Sequence, residues 1–106
     1  MPKYLVEATY TSEGAKGLLK GGGSARRKAV EDGMTATNGK LETFLFAFGD
    51  RDAIIIVDLP DNVSAAAISM AVKASGALHT RTTPLLTPED IDEAARRHVA
   101  FRPPGE

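Results

Sequence analysis

The amino-acid sequence predicts one α+β domain built in the order β-α-β-β-α-β, an antiparallel four-stranded sheet with helices on one face. Three observations carry this expectation. The chain has 106 residues, a length that suits a single core. Four segments with strand-like alternation or continuous apolar character are separated by stretches with helical spacing. Turn and cap residues stand where those elements have to begin and end.

The first strand is read from Tyr4 to Tyr10, with Tyr4, Val6 and Ala8 on one face and Leu5, Glu7 and Thr9 on the other. Thr11-Ser12-Glu13 then supplies N-cap chemistry and an early acid for a helix that carries Ala15, Leu18 and Leu19. Gly21-Gly22-Gly23 interrupts it. Ser24 is placed to cap a second segment running to Thr37, in which Ala25, Ala29, Val30 and Met34 recur at helical spacing. The two segments read as one broken helical layer, closed by Asn38-Gly39.

Leu41 to Phe48 and Asp52 to Leu59 form the next two strands, joined tightly through Gly49-Asp50-Arg51. A helix follows from Val63 to Ala74 and stops at Ser75-Gly76. Leu78 to Leu85 is the last strand, and Pro84 assigns it to an edge of the sheet. Thr87-Pro88-Glu89-Asp90 starts a closing helix that runs to His98: a Thr cap, Pro at the first position, then acids in the first turn. His98 near its end complements the helix dipole. Residues 1–98 therefore form the domain and residues 99–106 a tail.

This order is the ferredoxin-like, or split βαβ, arrangement. Such a sheet has helices on one face, yet Phe44-Leu45-Phe46-Ala47-Phe48 and Ala53-Ile54-Ile55-Ile56-Val57 are apolar on both faces. Continuous apolar runs mark strands that are covered on both sides. The simplest cover for the second face is the same sheet of another copy, so a homodimer through the sheet face is expected. The closing helix is the competing cover.

Composition narrows the function classes. Net charge is −1, which argues against an electrostatic role on nucleic acid or anionic lipid. With no cysteine, thiolate nucleophiles, disulfides and cysteine-based metal sites are excluded. The longest purely apolar runs are five residues, the N-terminus has no signal-peptide pattern, and a cytoplasmic location is expected.

From end to end the chain resembles the GYD family, small bacterial proteins of the dimeric α/β-barrel superfamily. The resemblance runs through Thr11-Ser12-Glu13-Gly14, Asn38-Gly39-Lys40-Leu41, Phe48-Gly49-Asp50-Arg51-Asp52, Asp58-Leu59-Pro60-Asp61, Ser75-Gly76 and Thr80-Arg81-Thr82. It implies a dimeric α/β barrel. The name-giving Gly, Tyr and Asp lie at the turn into the third strand; Gly49 and Asp52 fit, while Arg51 stands at the Tyr position. A phenol and a guanidinium do different chemistry, so a role carried by that Tyr does not transfer. The superfamily spans cofactor-free oxygenases, lactone isomerases and haem enzymes, and fold likeness selects no reaction among them.

Glu7 is the first candidate for chemistry, a mid-strand acid whose desolvation under a partner sheet would suit proton transfer. Set against this is a solvated or ion-paired Glu at a barrel opening. His79 and Arg81 lie two apart on the last strand and share a face, next to Glu7 on the neighbouring strand. A lone strand His more often serves only as a hydrogen-bonded surface residue. Arg51 and Asp52, with Asp50, could orient an anionic substrate, or simply form a tight turn. Gly21-Gly22-Gly23-Ser24 followed by Arg26-Arg27-Lys28 could hold a phosphate or carboxylate, but lacks Walker or dinucleotide spacing and reads better as a flexible break with a solvated basic cluster.

RNA recognition on this fold needs aromatic residues on the central strands, and the third strand has none. Two distant His residues and scattered acids make no metal-ligand cluster. The expectation is a protein that binds a small organic molecule in a dimeric α/β barrel, with catalytic candidates Glu7 and His79, substrate-binding candidates Arg51, Asp52 and Arg81, and no cofactor. Its chemistry, if any, would be cofactor-independent proton transfer or oxygenation. The alternative is a non-catalytic dimeric sensor, carrier or assembly module.

Overall fold

A computed structural model describes residues 1–106. The elements follow the expected order: β1 (Lys3–Tyr10), α1 (Ser12–Gly21), α2 (Gly23–Ala36), β2 (Lys40–Phe46), β3 (Ala53–Asp58), α3 (Asn62–Ser75), β4 (Leu78–Leu85) and α4 (Pro88–Arg96). The strands make one sheet in the order β2-β3-β1-β4, with every neighbouring pair antiparallel. This is the ferredoxin-like arrangement with an additional C-terminal helix. Pro84 sits on edge strand β4, where its missing donor leaves no interior hydrogen bond unmade.

Local chemistry accounts for most of the boundaries. The Thr11 hydroxyl accepts from the Gly14 amide at 3.2 Å and reaches the Gly76 carbonyl at 2.9 Å, so one side chain starts α1 and ties it to the entry of β4. Asp61 accepts from the Ser64 amide at 2.8 Å and opens α3, which Gly76 closes in the left-handed conformation (φ 71°). The Thr87 hydroxyl and the Asp90 carboxylate form a reciprocal capping box on α4. Asn38 itself takes positive φ (60°) at the end of the α2 layer.

Three boundaries differ from the sequence expectation by two residues, the others by one at most. The β2–β3 hairpin has a longer connection, because the turn is pinned to β1: Asp52 donates its amide to the Ala8 carbonyl and accepts the Ala47 amide, each at 2.8 Å. Helix α2 begins at Gly23, with Gly22 as its cap at φ 85°, and Ser24 lies inside the first turn. Helix α4 stops at Arg96, so His98 lies beyond its end and Arg96 is the basic residue of the last turn. No residue of α4 is buried, and a further turn would gain no packing to offset its ordering cost.

The pleat divides the sheet into two unlike faces. Tyr4 and Ala8 of β1, Ala53, Ile55 and Val57 of β3 and Leu78 of β4 point toward the helices and form the core with Met34, Leu59 and Ala65. On the opposite face Leu5 stands between Ile56 and Thr83, and Ile54 between Glu7 and Leu45. Leu5, Ile54 and Ile56 are only half-buried and Leu45 is exposed, because nothing in the protomer lies over them. Helix α4 does not serve as the cover; it extends the molecule to 57 × 32 × 23 Å, with Leu86, Ile91, Val99 and Phe101 exposed along the arm. The radius of gyration, 16.9 Å, exceeds the roughly 13 Å of a compact chain of this length for the same reason.

Candidate functional site

The side chains that the sequence marks for chemistry gather on the open face of the sheet. Glu7 is opposite Ile54 on one side and Arg81 on the other, and His79 is opposite Thr9, so Glu7, His79 and Arg81 share that face. Arg51 reaches over from the β2–β3 turn and places its Nε 3.7 Å from Glu7 Oε2. Glu7 therefore stands between two guanidinium-bearing residues, with its side chain 24% exposed. His79 and Arg81 are exposed. At the other end of the face Lys3 Nζ bridges Glu42 Oε2 at 2.7 Å and Asp58 Oδ1 at 2.9 Å. Hydrogen bonds to Glu42 and then Asp58 hold the Lys3 ammonium above the ordinary lysine range.

Asp52 is turned away from this cluster. Its carboxylate accepts the Tyr10 amide at 2.9 Å while its backbone engages Ala8 and Ala47, so side chain and main chain together strap the β2–β3 turn to the end of β1. This is the work of a turn residue, and it leaves Arg51, immediately before it, free to reach Glu7.

A mostly apolar concavity lies on the opposite side of the sheet. Helix α2 packs over β2 and helix α3 over β4, and between them a cleft of about 250 Å3 opens above β1 and β3. Its floor is Val6 and Ala8 of β1, Ile55 and Val57 of β3, and Thr80 and Thr82 of β4. The walls carry Ala29 and Gly33 from α2 and Ala65 and Ala71 from α3. Small side chains explain why the gap exists: where a Leu would fill the space between helix and sheet, these positions offer one carbon or none.

Thirteen of the eighteen lining residues are hydrophobic, so the cleft favours an apolar occupant. Its polar groups are few. Ser69 Oγ and Thr82 Oγ1 lie 3.2 Å apart and share one hydrogen bond, and Thr80 adds a further hydroxyl to the lining. The single charged lining residue is Arg26, and no carboxylate lines the cleft. Arg26 Nε is buried without any hydrogen-bond partner, the one such side-chain nitrogen or oxygen in the protein.

Matching the chain to known proteins identifies its family through this same stretch. The model of the GYD domain matches residues 4–95, from β1 to the last turn of α4. The chain belongs to the GYD domain family. Within this GYD protein the match spans the cleft, the open face and the Asp52 strap alike. No curated protein and no solved structure matches the chain.

Neither Glu7, Arg51, Asp52, His79 nor Arg81 lines the cleft. Sequence reasoning brought Glu7, His79 and Arg81 to one face, where the structure also has them with Arg51 reaching over, but it missed the hollow behind that face. A signal for the cleft was present in the GYD chain. Arg26, Val30 and Met34 recur every four residues, which puts the Arg on the stripe of α2 that turns inward, rather than in a solvated basic cluster with Arg27 and Lys28.

No helix is long and apolar enough to cross a membrane.

Proposed function

We propose that this GYD protein binds a small organic molecule in the cleft between α2, α3 and the sheet, and that it works as a homodimer of α/β-barrel type joined through the open sheet face. The observation that carries the ligand reading is the cleft itself. An apolar cavity of about 150 Å3 holds benzene, so by volume this one suits a molecule of about ten non-hydrogen atoms. The lining fits the usual design of a small-molecule site, a mostly apolar wall with a few placed polar groups.

The dimer reading rests on the unlike faces of the sheet. Four strands about seven residues long make a face of roughly 19 × 24 Å in projection, before side-chain relief is counted. A stable dimer buries about 800 Å2 of accessible surface per partner, so a face of this size is of the right order. Leu5, Ile54 and Ile56 at its centre and ion pairs at both ends match the anatomy of an interface, apolar in the middle and polar at the rim.

Between an enzyme and a carrier or sensor, the cleft favours the latter. Its polar side chains are two Thr, one Ser and one Arg, and it has no His, Asp, Glu or Lys to move a proton. Proton transfer by Glu7 and His79, or oxygenation assisted by them, would have to occur on the other side of the sheet, at the dimer seam.

A neutral probe tests the ligand reading. Titration with 3-phenyl-1-propanol should show saturable binding, followed by calorimetry or by NMR shifts of residues around Val30, Ile68 and Val72. Gly33→Leu should abolish it. Gly33 lines the cleft and a Cβ there meets nothing within 4 Å, so a Leu can stand at the wall of the cleft without a clash, and replacing a helical Gly adds about 0.5–1 kcal/mol of stability. Undiminished binding to a folded Gly33→Leu variant would place the site elsewhere.

A further inference from the structure

The cleft is apolar almost throughout, yet one charged side chain reaches into it. We propose that the natural ligand is an organic acid, an apolar body ending in a carboxylate or an equivalent anionic group that pairs with Arg26. The inference rests on the cleft being the binding site and adds the class of molecule it takes.

Charge is the first argument. Arg26 is the only charged residue of the lining, and no Asp or Glu is there to neutralise it. A guanidinium keeps its proton at all accessible pH values, so the cleft presents a fixed positive group at one place on an otherwise apolar wall. An apolar ligand with a negative end complements both parts, whereas a cation would meet repulsion without a counter-charge.

Hydrogen bonding is the second. Arg26 Nε is withdrawn from solvent and has no acceptor. Buried donors without partners are rare, because each forfeits the hydrogen bonds it made to water. No hydroxyl of the lining resolves the deficit, since none of Ser69, Thr80 and Thr82 is hydrogen-bonded to Nε. A carboxylate oxygen supplies the missing acceptor, and its charge makes the bond stronger than one to a neutral oxygen.

The third argument is placement. Arg26 lies one and two helical turns before Val30 and Met34 on α2, on the stripe that faces the sheet. Its neighbours Arg27 and Lys28 do not line the cleft, and Lys28 is already paired with Asp32 at 2.9 Å. Of the three consecutive basic residues, the helix period turns one inward.

The test compares two molecules of similar size and shape, 3-phenylpropanoate and 3-phenyl-1-propanol, by calorimetric titration at pH 7 on the full chain and on Arg26→Met and Arg26→Lys variants. The acid should bind the native protein about tenfold or more tightly than the alcohol, in line with a charge-assisted bond in a desolvated site. Arg26→Met should abolish that preference by weakening the acid at least tenfold more than the alcohol, which can lose only a neutral hydrogen bond, and Arg26→Lys should restore part of it. Alcohol binding with no preference for the acid overturns the organic-acid inference and leaves the cleft as a neutral apolar site. An acid preference that survives in Arg26→Met overturns it as well. Binding of neither molecule overturns both this inference and the reading of the cleft as the ligand site.

Discussion

Replacing Ile56 by Asp should convert the proposed dimer into a folded monomer. Ile56 lies at the centre of the open face, opposite Leu5 on β1 and Thr43 on β2. In the isolated protomer it is half-buried on the side that no helix covers, so the substitution costs the fold only about 1 kcal/mol through lost strand preference and neighbour contacts. The dimer is affected far more. Docking a second sheet would strip water from an unpaired carboxylate, at about 2–3 kcal/mol or more, and forfeit the remaining burial of the Ile side chain. A two-fold axis presents the same residue from both partners, so the penalty enters twice, for about 6 kcal/mol in all. At 1.4 kcal/mol per factor of ten, the dissociation constant rises by about four orders of magnitude. Sedimentation equilibrium at about 10 µM should then report a dimer for the native chain and a monomer for Ile56→Asp. Far-ultraviolet circular dichroism should be unchanged. A monomeric native chain, or a variant that associates as tightly as the native chain, would refute the assignment of this face.

Two further outcomes follow from the capping and packing of the helices. Gly14→Ala should destabilise the protein by about 3 kcal/mol, at the upper end for overpacking, because its Cβ would fall 1.9 Å from the Ala77 carbonyl oxygen, where backbone would have to move; a melting temperature within 2 °C of native, measured by calorimetry, would contradict this. The Asp61 carboxyl is held below its ordinary value by hydrogen bonds from the Ser64 amide and then the Ser64 hydroxyl, so its contribution to stability is fully present above the unfolded value near 4 and is lost as pH falls through the lower folded value; Asp61→Asn, which keeps a capping oxygen, should show a flatter loss of stability in urea titrations below pH 4 than the native chain.

The parts of this fold that were legible in the sequence are those whose cause is local. Thr11 and Thr87 announce helix starts because the capping bond spans three residues, and Gly76 announces a helix end for the same reason. The β4 boundaries came through unchanged because strand alternation and flanking turns bracket them. The β2–β3 connection was harder, since its length depends on Asp52 bonding across to β1, a partner 42 residues away from its carboxylate. The end of α4 was overestimated for a related reason. Charge and cap residues set where a helix can start, whereas how far it runs depends on burial, and α4 buries nothing. The cleft was illegible as such. Ala29, Gly33 and Ala71 look like ordinary small helical residues, and only their convergence above one stretch of sheet makes a hollow.

Apolar character on both sides of β3 marks two faces that need cover, and it gives no sign of the cleft on one of them. Ala53, Ile55 and Val57 face the helices while Ile54 and Ile56 face away, so one strand supplies both surfaces by alternation. A continuous apolar run records that both faces need cover, but not how well either cover fits. On the open face nothing fits within the protomer, and the polar residues that a sequence reading notices (Glu7, His79 and Arg81) stand at the edge of that exposed ground. On the helix side two helices fit at their outer flanks and leave the middle hollow. A charged residue facing a hollow is conspicuous only once the hollow is seen, which is why Arg26 reads as one of three basic neighbours along the chain and as an isolated donor in the fold. Sheet alternation sorts residues into faces; the sizes of the side chains opposite decide which face can hold a ligand.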